Sequence, residues 1–125
     1  MRVKGSDVGQ DDRHILLRLM SVLEDRKQNP SEKSYTTSLF TGGTDKIGEK
    51  ILEEAQEVIE AATENDSAAR NHLIHEAADL IFHLLVMLGY KSIKWEEIEG
   101  ELGRRFGISG LDEKAARTSP EPPKS

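Results

Sequence analysis

The chain contains no cysteine. Disulfides, thiolate metal sites and cysteine nucleophiles are therefore excluded. Aromatic residues are scarce, at 5%. The alternating, β-branched and aromatic-rich runs that mark strands are missing. Basic residues are outnumbered, 17 Lys and Arg against 23 Asp and Glu, for a formal net charge of −6. A general DNA or RNA binder needs a basic footprint, so no nucleic-acid partner is expected. The acidic surplus suits a protein that collects metal cations. The longest apolar run, Leu80 to Leu88, is interrupted by His83. It falls far short of the ~20 residues that span a membrane. The polar segment Met1 to Gln10 lacks the apolar stretch of a signal peptide. The expectation is a cytoplasmic protein with no membrane partner.

With 125 residues, one domain is expected. A chain this short buries a modest share of its surface, so a partner subunit would help. Residues 1–11 read as a flexible polar segment and 12–117 as the folded domain. Residues 118–125, with three of the four prolines, read as a disordered tail.

The domain reads as all-α. A first helix is expected from Asp12 to Lys27, with Ile15, Leu16, Leu19, Met20 and Leu23 at i, i+3/i+4 spacing. Asn29-Pro30-Ser31 ends it. A short helix or turn covers Ser34 to Phe40. Thr41-Gly42-Gly43-Thr44 breaks the chain, with Thr44 able to cap a helix over Asp45–Glu64. Asn65-Asp66 makes a tight connection, with Ser67 as the next cap. Further helices follow over Ala68–Gly89 and Lys94–Arg105, the last stopping at Gly107. Short loops between long helices imply antiparallel neighbours, hence a bundle of four to five helices.

On a helical wheel, Ile47, Ile51, Leu52, Ala55, Val58, Ile59 and Ala62 share one side of the helix over 45–64. Lys46, Glu49, Lys50, Glu53, Glu57 and Glu60 share the other, and Glu54 lies at the border. The helix over 68–89 is apolar nearly all round, which predicts burial. A narrow polar stripe of His72, Glu76, Asp79 and His83 runs along it. Buried carboxylates need a counter-charge. Lys46, Lys50, Arg104 or Arg105 could supply it, or a divalent cation.

The tight turn makes the two helices antiparallel, with Glu57 and Glu76 at similar heights. Glu53, Glu54 and Glu57 then converge on Glu76 and Asp79. A site of carboxylates alone is hard and oxygen-rich, suited to Mg²⁺ with Mn²⁺ as the alternative. A di-iron bundle would need Glu-x-x-His motifs, and the chain has none. The segment Gly43 to Lys50 fails as a P-loop, because Glu49 and Lys50 stand where lysine and Ser/Thr are required. Lys46 and Lys50 are candidate phosphate contacts or partners of nearby glutamates. His14 and His75 read as surface residues, His83 as a core histidine and Trp95 as a packing residue.

Glu53-Glu54-Ala-Gln-Glu57 followed by Glu76-Ala-Ala-Asp79 resembles the EExxE…ExxD signature of the MazG-type all-α nucleotide pyrophosphohydrolases. The flanks are similar to the phosphoribosyl-ATP pyrophosphatase family: Ser34-Tyr35-Thr36 with Leu39-Phe40, Gly43-x-x-Lys46, Lys50, Ala78-Asp79-Leu80 and His83-Leu84-Leu85. Arg104-Arg105-Phe106-Gly107, Ser109-Gly110-Leu111 and Glu113-Lys114 extend the likeness, which covers Leu16 to Arg117. Leu52 departs from the glycine that many members carry before the glutamate pair.

The resemblance implies a MazG-like bundle completed by dimerisation. It implies hydrolysis of phosphoribosyl-ATP between its α and β phosphates, the second step of histidine biosynthesis. Glu53, Glu54, Glu57, Glu76 and Asp79 would hold Mg²⁺, with Glu54 and Glu57 as catalytic carboxylates. Ser34, Tyr35 and Thr36 would line the ribosyl or phosphate side. Lys46, Lys50, Arg104 and Arg105 would hold phosphates. Two alternatives are a relative acting on (d)NTPs and a non-catalytic helical interaction module.

Overall fold

A computed structural model describes residues 14–107. The segments 1–11 and 118–125, and the matches at 109–114, lie outside the described residues. All regular structure among those residues is helical: α1 (Ile15–Gln28), α2 (Tyr35–Ala62), α3 (Ala69–Tyr90) and α4 (Trp95–Phe106). Contacts divide the chain into two units, Met1–Ser92 and Ile93–Ser125.

In the first unit α2 and α3 form the main packed pair, and α1 lies against both. Leu23, Leu39, Ile47, Ala61, Leu85 and Val86 are its buried apolar residues. Lys27, at the end of α1, donates from Nζ to the Gly89 carbonyl (2.8 Å) and to Ser92 Oγ (3.0 Å). A cation thus meets the carbonyl-rich end of α3, where a helix favours positive charge.

Ser34 starts α2: its Oγ accepts from the Thr37 backbone N–H at 3.1 Å. The break expected over 41–44 shrinks to one residue. Only Gly43 leaves helical geometry, with φ 71° and ψ −161°, a region glycine enters without steric cost. The two expected helices therefore form one kinked run, and Thr44 lies inside it instead of capping a separate helix. A Cβ on Gly43 would sit 3.1 Å from Tyr90 Oη.

Ser67 does not cap α3: the N-cap position falls on Ala68, without a side-chain cap, and Asp66 instead closes the turn before it. Asp66 Oδ1 accepts from the Ala68 N–H at 3.0 Å, and its carbonyl accepts from Ala69 at 3.1 Å. An aspartate commonly bonds the backbone two residues on in this way.

The wheel needs a second correction. Leu52 and Ile59, placed on the inner side, are 74% and 60% exposed. The buried line of α2 is Ile47, Glu54 and Ala61, spaced by seven residues, which return to nearly the same angle on a 3.6-residue turn. Nor is α3 buried all round: Ile74, Ile81 and Leu84 are exposed. By length and composition α3 could cross a membrane, although its longest unbroken apolar run is short. Its buried residues nevertheless include Glu76 and His83, which fits a helix packed against protein.

In the second unit the Glu97 carboxylate accepts from the Lys94 N–H at 3.0 Å and closes the first turn of α4. Gly107 ends it in the left-handed region, φ 65°, as expected.

Candidate metal centre

Glu54 is carried inward by its seven-residue spacing from Ile47 and Ala61. Glu76 lies one heptad before the buried His83, and Asp79 follows one turn later. Oxygens of Glu54, Glu76 and Asp79 all lie within 4.8 Å of one another. Glu54 is 7% exposed and Glu76 9%. Oε1 of each is buried without a hydrogen-bond partner. An unpaired buried oxygen costs roughly 1–3 kcal/mol, more when charged. Three converging carboxylates with two orphaned oxygens fit a hard divalent cation.

The electrostatics reflect this crowding. Burial, then the nearby Glu57 and Asp79, push Glu54 up to about 7. Contact with Glu76 raises Glu57, which is itself exposed. Burial pulls Glu76 upward, but interactions with Glu57, Glu54 and His72 outweigh it and leave Glu76 below the usual carboxylate range. The acids divide their protons unequally, as close carboxylates do.

Two histidines contact these carboxylates. His72 spans Glu64 (Nδ1, 2.9 Å) and Glu76 Oε2 (Nε2, 3.2 Å), and Glu64 raises its pKa. The polar stripe contained His72, but an i, i+4 spacing to Glu76 does not reveal the third partner across the α2–α3 connection. His75 is on the surface, as expected, with Nε2 3.3 Å from Asp79 Oδ2. His83 is a buried core histidine, as expected. Its Nδ1 lies 2.8 Å from the Asp79 carbonyl and its Nε2 2.8 Å from Tyr35 Oη. Nothing in the spacing of Tyr35 and His83 pairs them; the kink at Gly43 does.

Other expected residues lie apart from the triad. Glu53 is exposed and pairs with Lys50 at 3.0 Å. Lys46 lines an open pocket with Ser31, Thr37, Ser38 and Thr41. Ser34 serves as the α2 cap, and Thr36 is half-buried in the first turn. Arg104 and Arg105 belong to the second unit, where both hold Glu101, at 2.6 and 2.9 Å. These arginines pull Glu101 down to about 2.

The sequence profile of phosphoribosyl-ATP pyrophosphohydrolase matches residues 16–106. The chain belongs to the phosphoribosyl-ATP pyrophosphohydrolase family. It is 52% identical over 100 residues to a phosphoribosyl-ATP pyrophosphatase of Rhodopirellula baltica, covering 80% of this chain and 83% of that one. A phosphoribosyl-ATP pyrophosphatase of Geotalea daltonii is 52% identical over 103 residues, 82% of this chain and 94% of its own. One from Vesicomyosocius okutanii is 50% identical over 105 residues, 84% and 97%. Within the phosphoribosyl-ATP pyrophosphohydrolase family the triad sits on the glutamate-rich motif that first suggested the likeness. Leu52, beside the glutamate pair, points to solvent.

Proposed function

We propose that this chain hydrolyses phosphoribosyl-ATP between the α and β phosphates, giving phosphoribosyl-AMP and pyrophosphate, with Mg²⁺ as activator and Mn²⁺ as the alternative. Its class is that of its family, a hydrolase of histidine biosynthesis. The Glu54–Glu76–Asp79 cluster, with its two orphaned oxygens, supports the metal reading best. Those three residues would hold the ion, with Glu57 beside Glu76 and Glu53 at the rim. When bound, the ion supplies charge neutralisation at the phosphate oxygens. Glu54 is the proposed base that takes the proton of the attacking water. His72 and His75 keep Glu76 and Asp79 aimed inward. Lys46, Lys50, Arg104 and Arg105 are the proposed phosphate holders. Ser34, Tyr35 and Thr36 line the substrate.

A homodimer completes the bundle in this reading. Leu52 and Ile59 on α2, and Ile74, Ile81 and Leu84 on α3, are large apolar residues left exposed, and such surfaces mark interaction sites. The proposed location is the cytoplasm, without nucleic-acid or membrane partners, and 12–117 is the proposed domain.

Pyrophosphate release tests the reading, measured from phosphoribosyl-ATP with and without Mg²⁺ beside ATP and dNTPs. Mg²⁺-dependent release from phosphoribosyl-ATP is expected. Release from dNTPs alone would move the protein to nucleotide housecleaning, and no release would leave the carboxylates structural.

A further inference from the structure

The connection between α1 and α2 borders a cavity of about 500 Å³, lined by Ser31, Glu32, Thr37, Ser38, Thr41 and Lys46. That is a size suited to a small molecule, and none of the triad acids lines it. Its polar groups are mostly donors. Thr37 Oγ1 accepts from the Ser31 N–H at 3.0 Å, and Ser31 Oγ accepts from the Lys33 N–H at 3.4 Å. Each hydroxyl keeps its own hydrogen to donate. The Thr41 hydroxyl and the Lys46 ammonium have no partner among the described residues. The acceptors are the Glu32 carboxylate and Ser38 Oγ, whose hydrogen goes to the Tyr35 carbonyl at 2.6 Å.

Gly42 brings the cation to this cavity. A Cβ on Gly42 would lie 2.6 Å from both Cβ and Cδ of Lys46. The lysine stem therefore runs directly over the glycine, beside the kink at Gly43, and both residues line the cavity. Lys50 is placed differently. It pairs with Glu53 at 3.0 Å and interacts with Tyr35 and Glu54, so it belongs to the metal side. Lys46 and Glu54 are eight positions apart beyond the kink, about 12 Å along the helix axis.

We propose that this cavity binds a phosphorylated sugar, with the phosphate on Lys46 and the Ser31, Thr37 and Thr41 hydroxyls, and the sugar hydroxyls on Glu32. An ammonium among hydroxyl donors suits a phosphate, and a carboxylate accepts from sugar hydroxyls. The assignment of the occupant rests on the phosphoribosyl-ATP reading. That substrate carries a second phosphate, on its added ribose, at the far end from the triphosphate. Lys46 serves this phosphate, and Lys50 serves the triphosphate. ATP and dNTPs lack the added group, so the cavity is the feature that tells phosphoribosyl-ATP from them.

Ribose 5-phosphate is the probe, added to chelator-treated protein so that no metal-bound phosphate contributes. Backbone amide NMR should show saturable shifts at residues 31–42, with inorganic phosphate and ribose binding more weakly. Lys46→Met should weaken ribose 5-phosphate at least about tenfold, the scale of a lost charged hydrogen bond, whereas Lys50→Met should not. An absence of saturable shifts there, or an equal loss in Lys50→Met, overturns the proposal. Inorganic phosphate binding as tightly as ribose 5-phosphate overturns the sugar assignment. Lys46→Met should also raise KM for phosphoribosyl-ATP while the Ki of pyrophosphate holds; an unchanged KM overturns the assignment to this substrate. Wild-type turnover of phosphoribosyl-ATP checks the underlying reading by itself, and ribose 5-phosphate binding tests the cavity whether or not that turnover is found.

Discussion

Glu54 on α2 and Glu76 on α3 face each other with one buried, unpartnered oxygen apiece. Two orphaned acceptors of like charge oppose folding unless a proton or a cation joins them. Losing the acids should therefore separate function from stability. Glu54→Gln and Asp79→Asn are expected to lower kcat by at least about 100-fold, the usual scale for a lost acid–base group, with an unchanged circular dichroism spectrum. In metal-free protein Glu54→Gln should raise Tm, because a buried charge is removed. A Glu54→Gln/Asp79→Asn double variant with near-full activity would overturn the site assignment.

Stability should depend on pH in a specific direction. Glu54 has a folded pKa of about 7 against an ordinary 4.5, so the folded state binds its proton more tightly. That contribution is complete below about 4.5 and is lost as the pH rises through about 7. Glu57, also raised, acts in the same sense, while Glu76, lowered, changes at more acid pH. Scanning calorimetry of chelator-treated protein should show Tm falling across this window. Mg²⁺ should flatten the profile, since a ligand that binds only the folded state stabilises it. A Tm that climbs across the window in the absence of metal would contradict the Glu54 environment.

Gly43→Ala tests the kink. The left-handed φ of 71° and the close approach of Tyr90 Oη both oppose a side chain. A loss of about 1–3 kcal/mol is expected for this backbone region, read by denaturant unfolding. Gly48→Ala is the control: nothing lies within 4 Å of its added Cβ, and helix propensity favours alanine.

The exposed apolar residues make a prediction about assembly. Wild-type protein should sediment as a dimer. Ile81→Glu or Leu84→Glu should shift it to monomer and reduce activity, since a charge at an apolar interface is left without a partner. A wild-type monomer in sedimentation velocity, across a wide concentration range, would rule out the proposed role of these side chains.

Much of the helical order was legible because helix periodicity is local. The carboxylate set was legible for the same reason: Glu57 and Glu76 flank a tight connection, so an antiparallel pair had to bring their neighbours together. What the periodicity left open was which face turns inward. Leu52 and Ile59 look like core by composition, yet Ile47, Glu54 and Ala61 take the inner line. A single chain does not supply enough neighbours to cover both apolar faces, and one sequence does not say which stays uncovered. The Tyr35–His83 bond was illegible because it depends on a bend at one glycine, where the pattern announced only an interruption.

Tyr35 and Glu54 belong to the same helical run, nineteen positions apart. Along a straight helix, at about 1.5 Å per residue, they would stand about 28 Å from each other, longer than a nucleotide. Instead Tyr35 bonds to His83, a single turn from the Asp79 that meets Glu54. The reversal at Gly43 shortens that separation until both ends of one element can touch the same molecule. A residue that contributes no atoms to chemistry would thereby decide whether the two halves of the proposed site are within reach of one substrate.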